Sequence, residues 1–351
     1  MFGSSRKLVS WPNRLFRPEY QTTRARNFLR FILEIIDKQD LNNAKTLNNM
    51  SRLALKILKK SPYAEKSKIR LVLTRLFPWD PLIKEKQSPI DVYILTHEKD
   101  IDILPYSIIG ATEAVKSNLK NVYVVAPKQS EKRIKAIIEI LYTEANYISD
   151  EEILNNYLGN LWTSFPAVPK MEILKICCAL NSPTGTALII DGDTVLLRSR
   201  VWSASNQQIA IVAQEYLRRH INFNKNKMGI DPKTGIGFVS HHGVVIKSIL
   251  TDSISNNGGI GPFSSKFAES YKEFKNPQDD FPSEWQLISD LNISKNPYGT
   301  KLSKFSNYGI SRNSTKFQLN HDARLNEVRN VIDSIRKECP KLGSISFHGY
   351  K

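Results

Sequence analysis

Three short apolar runs, set between stretches of helical length, constrain this chain most. They are Ile90-Asp91-Val92-Tyr93-Ile94-Leu95-Thr96, Asn121-Val122-Tyr123-Val124-Val125-Ala126 and Ala187-Leu188-Ile189-Ile190. Such runs are what strands covered on both faces require, because neither face can tolerate a polar row. The intervening spacing predicts helices over 105–118, 130–142 and 170–180, with a short strand near 145–148. Alternation of this kind points to βαβ units and an α/β fold: a mixed, mostly parallel sheet flanked by helices. Further on, Gln208 to Ala213, Phe238 to Ile246 and Ser344 to Phe347 read as strands, and 283–291 and 322–338 as helices. Residues 251–262 (TDSISNNGGIGP) read as a mobile Gly/Asn/Ser loop.

Before Ile90 the character differs. The chain carries a net charge of +16, and residues 1–89 hold 19 Lys or Arg against 7 Asp or Glu. Helical spacing recurs over 22–38, 44–60 and 64–77, and Pro78, Pro81 and Pro89 then punctuate the chain. This divides it into a basic helical N-terminal segment, 1–88, and a second domain, 89–351. A basic amphipathic surface can hold a protein on anionic lipid, bind nucleic acid or a charged glycan, or simply be a solvated helix face. The segment has no recognised nucleic-acid motif, so a nucleic-acid partner is the lesser alternative. No stretch has the length and apolarity of a membrane span, and no signal peptide is evident. Cys177, Cys178 and Cys339 offer neither a disulfide framework nor a zinc cluster. The expectation is a cytoplasmic protein, peripheral on the inner face of the membrane if the basic segment engages it.

Chemistry concentrates at Asp191-Gly192-Asp193, immediately after the most apolar run. Ligands of open α/β sheets bind beyond the carboxyl ends of strands, and this acidic pair stands there. Hard divalent cations take oxygen ligands, and two carboxylates one residue apart can supply them. Glycine between them suits an unusual turn and a close approach of ligand to backbone. No G-x-x-x-x-G-K-[ST], G-x-G-x-x-G or G-x-S-x-G occurs, which removes the P-loop, dinucleotide and serine hydrolase readings.

The segments Lys175 to Leu180, Ala187 to Ile190 and Asp191 to Val195 resemble the helix–strand–DxD core of GT-A glycosyltransferases. Ile90 to His97, with Asp100 and Leu104-Pro105, and Val122 to Pro127 are similar to their first two strands. Ser283-Glu284-Trp285-Gln286-Leu287 resembles a segment of a poorly characterised bacterial GT-A-like family; the likeness to glycogenin-like enzymes is more distant. It covers roughly 89–351. The resemblance implies a GT-A-like fold and a metal-dependent glycosyltransferase of polysaccharide biosynthesis. Such an enzyme moves sugar from a nucleotide-sugar donor to a glycan, lipid-linked or capsular acceptor with Mn²⁺ or Mg²⁺. By position it implies Asp191 and Asp193 at the metal, His348 completing that shell, and Thr96, His97, Lys175 and Asp191 at the nucleotide sugar. The Lys-Pro-Trp that follows the histidine in glycogenin-like enzymes is absent here. A nucleotidyltransferase on a related fold is an alternative.

Glu284 is a candidate general base toward an acceptor hydroxyl; equally, Ser283-Glu284 suits the first turn of a helix. His241 and His242 would lie on opposite faces of the Phe238 to Ile246 strand, one of them facing an acceptor; a satisfied core or edge histidine is the other reading. Trp162 and Phe165 could stack on a sugar or pack in the core.

Overall fold

The computed structural model describes residues 87–348 except 117, 142–143, 206, 214–216, 232–235, 277–278, 305–306 and 312–320, together with Phe77, Pro81 and Ile83. The expected helices at 22–38, 44–60 and 64–77, and with them nearly all of the 1–88 segment, lie outside the described residues.

In chain order the elements are β1 (Pro89–Leu95), α1 (Leu104–Ala114), β2 (Asn118–Ala126), α2 (Glu131–Leu141), β3 (Ala145–Ser149), α3 (Asp150–Leu158), α4 (Ala167–Asn181), β4 (Thr186–Asp191) and β5 (Thr194–Leu196). These are followed by β6 (Ser203–Ala204), β7 (Gln207–Ile211), α5 (Arg218–Met228), β8 (His242–Ile246), α6 (Lys247–Asn256), α7 (Ile260–Glu273) and α8 (Glu284–Lys295). The last are β9 (Thr300–Ser303), β10 (Asn307–Ser311), α9 (His321–Glu338) and β11 (Ser344–His348). The main sheet runs β3-β2-β1-β4-β8, parallel except for β8, which is antiparallel to β4. Two three-stranded sheets, β10-β11-β5 and β6-β7-β9, flank it. The expected mixed, mostly parallel α/β architecture is therefore what forms.

Pleating sorts the first strand between two cores. Tyr93 and Leu95 pack with α3, α4, α7 and α8 on one face; Ile90, Val92 and Ile94 pack with α1 and α2 on the other. Ala187 and Ile189 join the first core, Leu188 and Ile190 the second. Both faces are thus covered, which is why these runs are apolar throughout.

Asp91 is the exception within β1, and it is fully buried. Its carboxylate accepts from Asn121 Nδ2 (2.7 Å) on β2, and from Ser182 Oγ (2.6 Å), Thr184 Oγ1 (2.9 Å) and Thr184 N (3.0 Å) in the turn before β4. It fastens the amino ends of three adjacent strands. Asp91→Ala strands these donors without water, so a loss of about 3 kcal/mol in unfolding free energy is expected, read from the urea midpoint. A loss below about 0.5 kcal/mol would show that the donors find other partners.

Two expectations change. Residues 251–262 are not a loop but the end of α6 and the start of α7. Leu250, Ile254, Phe263 and Phe267 bury at helical spacing, and this burial outweighs the local Gly/Asn/Ser composition. Asn257, Gly258 and Gly259 separate the helices, the two glycines at φ +85° and +97°. Similarly, the strand expected from Phe238 begins only at His242. His241 sits at φ +60°, in the left-handed region, so the two histidines do not alternate on one strand.

Among the described residues no helix is long and apolar enough to cross a membrane.

Candidate functional site

The chain proceeds from β1 outward to β2 and β3, then returns to place β4 on the other side of β1. The helices that follow β1 and precede β4 pack on opposite faces of the sheet, the arrangement in which open α/β sheets form a ligand crevice at the carboxyl ends of such a strand pair. Leu95 and Asp191 are paired in register at that edge. The Asp-Gly-Asp turn therefore stands at the switch point of the sheet.

Gly192 is required here by crowding. Its N–H donates to Leu95 O at 2.6 Å. A Cβ on it would lie 2.6 Å from Thr96 Cβ and 2.7 Å from both Leu95 O and Thr96 Cα. Its φ is not positive. Close passage of two backbones, rather than an unusual turn, is what demands glycine. Thr96, expected at the nucleotide, is buried against this turn, while His97 beside it is exposed.

Four more elements converge on the turn. Lys175, on α4, places Nζ 2.6 Å from Asp191 Oδ1 and 2.5 Å from Glu284 Oε1, at the first turn of α8. Its ammonium also lies 4.6 Å from the centre of the Trp285 ring. Burial disfavours the Lys175 charge, but the Asp191 and Glu284 carboxylates outweigh it and raise its pKa. Burial would likewise raise the Asp191 pKa, yet Lys175 and His241 hold that carboxyl below the usual range. His241 Nδ1 is 3.1 Å from Asp191 Oδ2. Burial opposes its charge, and the bond to Asp191 raises its pKa overall. The left-handed conformation of His241 turns its ring to this cluster, away from the strand pattern of the sequence.

β11 supplies the remaining group. It runs antiparallel to β5, with Thr194 opposite Ser346 and their hydroxyls 2.7 Å apart. Phe347 N donates to Asp193 O at 2.8 Å. One residue on, His348 Nδ1 lies 3.7 Å from Asp193 Oδ2, and its ring centre is 4.6 Å from that of His241. All four of Asp191, Asp193, His241 and His348 keep some exposure.

Asp193 and His348 thus present an oxygen and a nitrogen on facing elements; the carboxylate suits Mn²⁺ and Mg²⁺ alike, whereas the imidazole favours Mn²⁺, because Mg²⁺ takes oxygen ligands. Asp191 is two positions away, but both its oxygens are already engaged, by Lys175 and His241. Among the described residues no group of three or more His, Cys, Asp or Glu stands arranged around a cation. Asp193 and His348 fit the metal directly; Asp191 fits it only by yielding part of its bond to His241 or Lys175.

The other sequence candidates fall elsewhere. Glu284 is 4% exposed and ion-paired, a placement that makes it the counter-ion of Lys175 rather than a base open to an acceptor. His242 is buried edge-on to Trp202, with burial and the nearby Arg200 pushing its pKa down to about 3. It packs in the core, not at a cleft. Trp162 Nε1 donates to Asn155 Oδ1 (2.7 Å), and the Lys170 ammonium lies 4.2 Å from the ring centre. Sequence reading missed Glu172 and Tyr271, which line the inner side of Glu284. Glu172 was detectable, since it precedes Lys175 by three residues and shares its helix face.

No protein-family model matches the chain, and no curated protein matches it. Solved structures do. The chain is similar to galactosyltransferase LgtC in complex with donor and acceptor sugar analogs, at 14% identity and TM-score 0.41, over 74% of this chain and 87% of that one. It is similar to the apo form of mouse xyloside xylosyltransferase 1, at 10% identity and TM-score 0.42, over 74% of this chain and 97% of that one. It also matches the apo WbbM bifunctional glycosyltransferase, at 9% identity and TM-score 0.38, over 77% of this chain and 47% of that one.

Proposed function

We propose that the chain is a GT-A-type glycosyltransferase that moves a sugar from a nucleoside diphosphate donor to a glycan or lipid-linked acceptor. The observation that carries this reading is the Asp-Gly-Asp turn at the sheet's switch point, with Lys175 bound to its first carboxylate and His348 facing its second. A leaving diphosphate gathers negative charge as the anomeric bond breaks. A divalent cation, when bound, neutralises that charge. Asp193 and His348 would hold it, with Asp191 on the opposite side of the turn. Lys175 keeps Asp191 ionised and oriented, and Glu284 keeps Lys175 in place. His97, exposed just beyond the carboxyl end of β1, is the residue assigned to the nucleotide in this reading. The basic 1–88 segment supports an anionic membrane surface as the place where a lipid-linked acceptor is met.

The test is binding of ADP, CDP, GDP and UDP with and without Mn²⁺. At least one should raise the melting temperature only with the cation, and Asp193→Ala should lower that affinity by more than about 100-fold while leaving the fold intact, as loss of a direct metal ligand does. If parent and variant bind equally, the acidic pair is not the site. Turnover should release free nucleoside diphosphate; release of pyrophosphate would point instead to nucleotidyl transfer.

A further inference from the structure

Behind the Lys175–Glu284 ion pair lies a second carboxyl group that the proposed reaction does not use. Glu172 Oε1 accepts from Tyr271 Oη at 2.7 Å, from α7. Glu172 Oε2 is buried, has no donor among the described residues, and lies against the Glu284 carboxylate. Glu284 Oε1 is already committed to Lys175. Two ionised carboxylates side by side, with Glu172 Oε2 and the Glu284 side chain out of reach of water and one ammonium between them, would repel strongly; a proton between them removes the repulsion and fills the empty acceptor pairing at once.

We propose that Glu172 is a positioning residue, a neutral carboxylic acid whose O–H is donated to Glu284, locking Glu284 on Lys175 and so Lys175 on Asp191. The groups facing Glu172 are Lys175 on its own helix, Tyr271 on α7 and Glu284 on α8. Arg219 on α5 acts on Tyr271, and His220 on α5 lies near Glu284. Burial and the Glu284 charge both raise the Glu172 pKa, ahead of the opposing effects of Tyr271 and Lys175.

The positioning role rests on the glycosyltransferase reading; the proton does not, and the two are tested separately. Infrared spectra at about pH 8 should contain the C=O stretch of a protonated carboxylic acid that disappears in Glu172→Gln. Asp290, whose buried carboxyl is raised to about 7, is mostly ionised there, and the difference spectrum isolates Glu172. In Tyr271→Phe the band should persist at a shifted frequency, because one partner of the same group is lost. No band in the parent, or a band unmoved by Glu172→Gln, overturns the proposal even if nucleotides bind. For positioning, Mn²⁺-dependent affinity for whichever of the four diphosphates binds the parent is followed as pH rises. Above the raised Glu172 value the new anion draws Lys175 inward, so affinity should fall about tenfold per pH unit. Glu172→Gln should lose that limb. An identical limb in both proteins overturns the positioning role. If no diphosphate binds the parent, the glycosyltransferase reading fails and the positioning role fails with it, while the infrared result still decides the proton.

Discussion

Lys175→Met should lower the unfolding free energy by about 3–5 kcal/mol at neutral pH, because it leaves two buried carboxylates without their cation. Asp191 would retain only His241, and Glu284 would lose its counter-ion. Lys175 is about one-tenth exposed at its side chain, so water cannot replace the ammonium. The pH dependence has a definite sign. In the parent the Asp191 pKa is depressed, so its contribution is present above the unfolded carboxylate value and is lost as pH falls through the lower folded value. Without Lys175 that depression is relieved and the buried carboxyls take up protons. The deficit of the variant should therefore narrow as pH falls below about 5. Urea titrations of both proteins across the acid range measure this. A neutral-pH midpoint within about 0.5 kcal/mol of the parent would mean that the ion pair is not what stabilises the turn.

The second large effect is at the turn itself. Gly192→Ala should cost about 3 kcal/mol. The atoms its Cβ would meet belong to the Leu95–Thr96 backbone and to a stiff β-branched side chain, none of which can swing aside. Relief requires moving either the end of β1 or the turn, and moving the turn separates Asp191 from Lys175 and Asp193 from His348. Cation-dependent nucleotide binding should fall with it by more than about tenfold, since bound geometry at such sites tolerates little displacement. Gly185→Ala is the matched control. Gly185 has φ +77° but open space around it, so that substitution should cost only about 1 kcal/mol of backbone strain. Equal midpoints for the two variants would refute the crowding argument.

How much of this was legible in the residues divides along physical lines. β1, β2 and β4 lie inside a sheet covered on both faces, and burial writes itself into such strands as continuous apolar runs. β9, by contrast, is Thr-Lys-Leu-Ser with no run to find, and its pairing with β7 is a tertiary fact. α5 carries so many Arg, Asn and Lys residues that its buried positions, His220, Phe223 and Met228, do not stand out. At the site, Asp191 and Asp193 were readable from their place after an apolar strand, Lys175 and His348 only through the family resemblance, and the fold brings the four side chains near one another. Glu284 was found but given a different role, because sequence does not show that Lys175, 109 residues earlier, occupies its carboxylate. His241 was misplaced because a positive φ in a non-glycine residue leaves no sequence mark. Glu172 required only the helix period to be followed back one turn from Lys175.

The clasp between Thr194 and Ser346 joins positions 152 apart in the chain. A ribosome makes β1, α4 and the Asp-Gly-Asp turn well before it makes β11. During that interval the nascent chain holds Asp193 without His348 and without the amide of Phe347. Completion of the crevice is therefore a late, long-range event, governed by closure of a large loop rather than by local helix or hairpin formation.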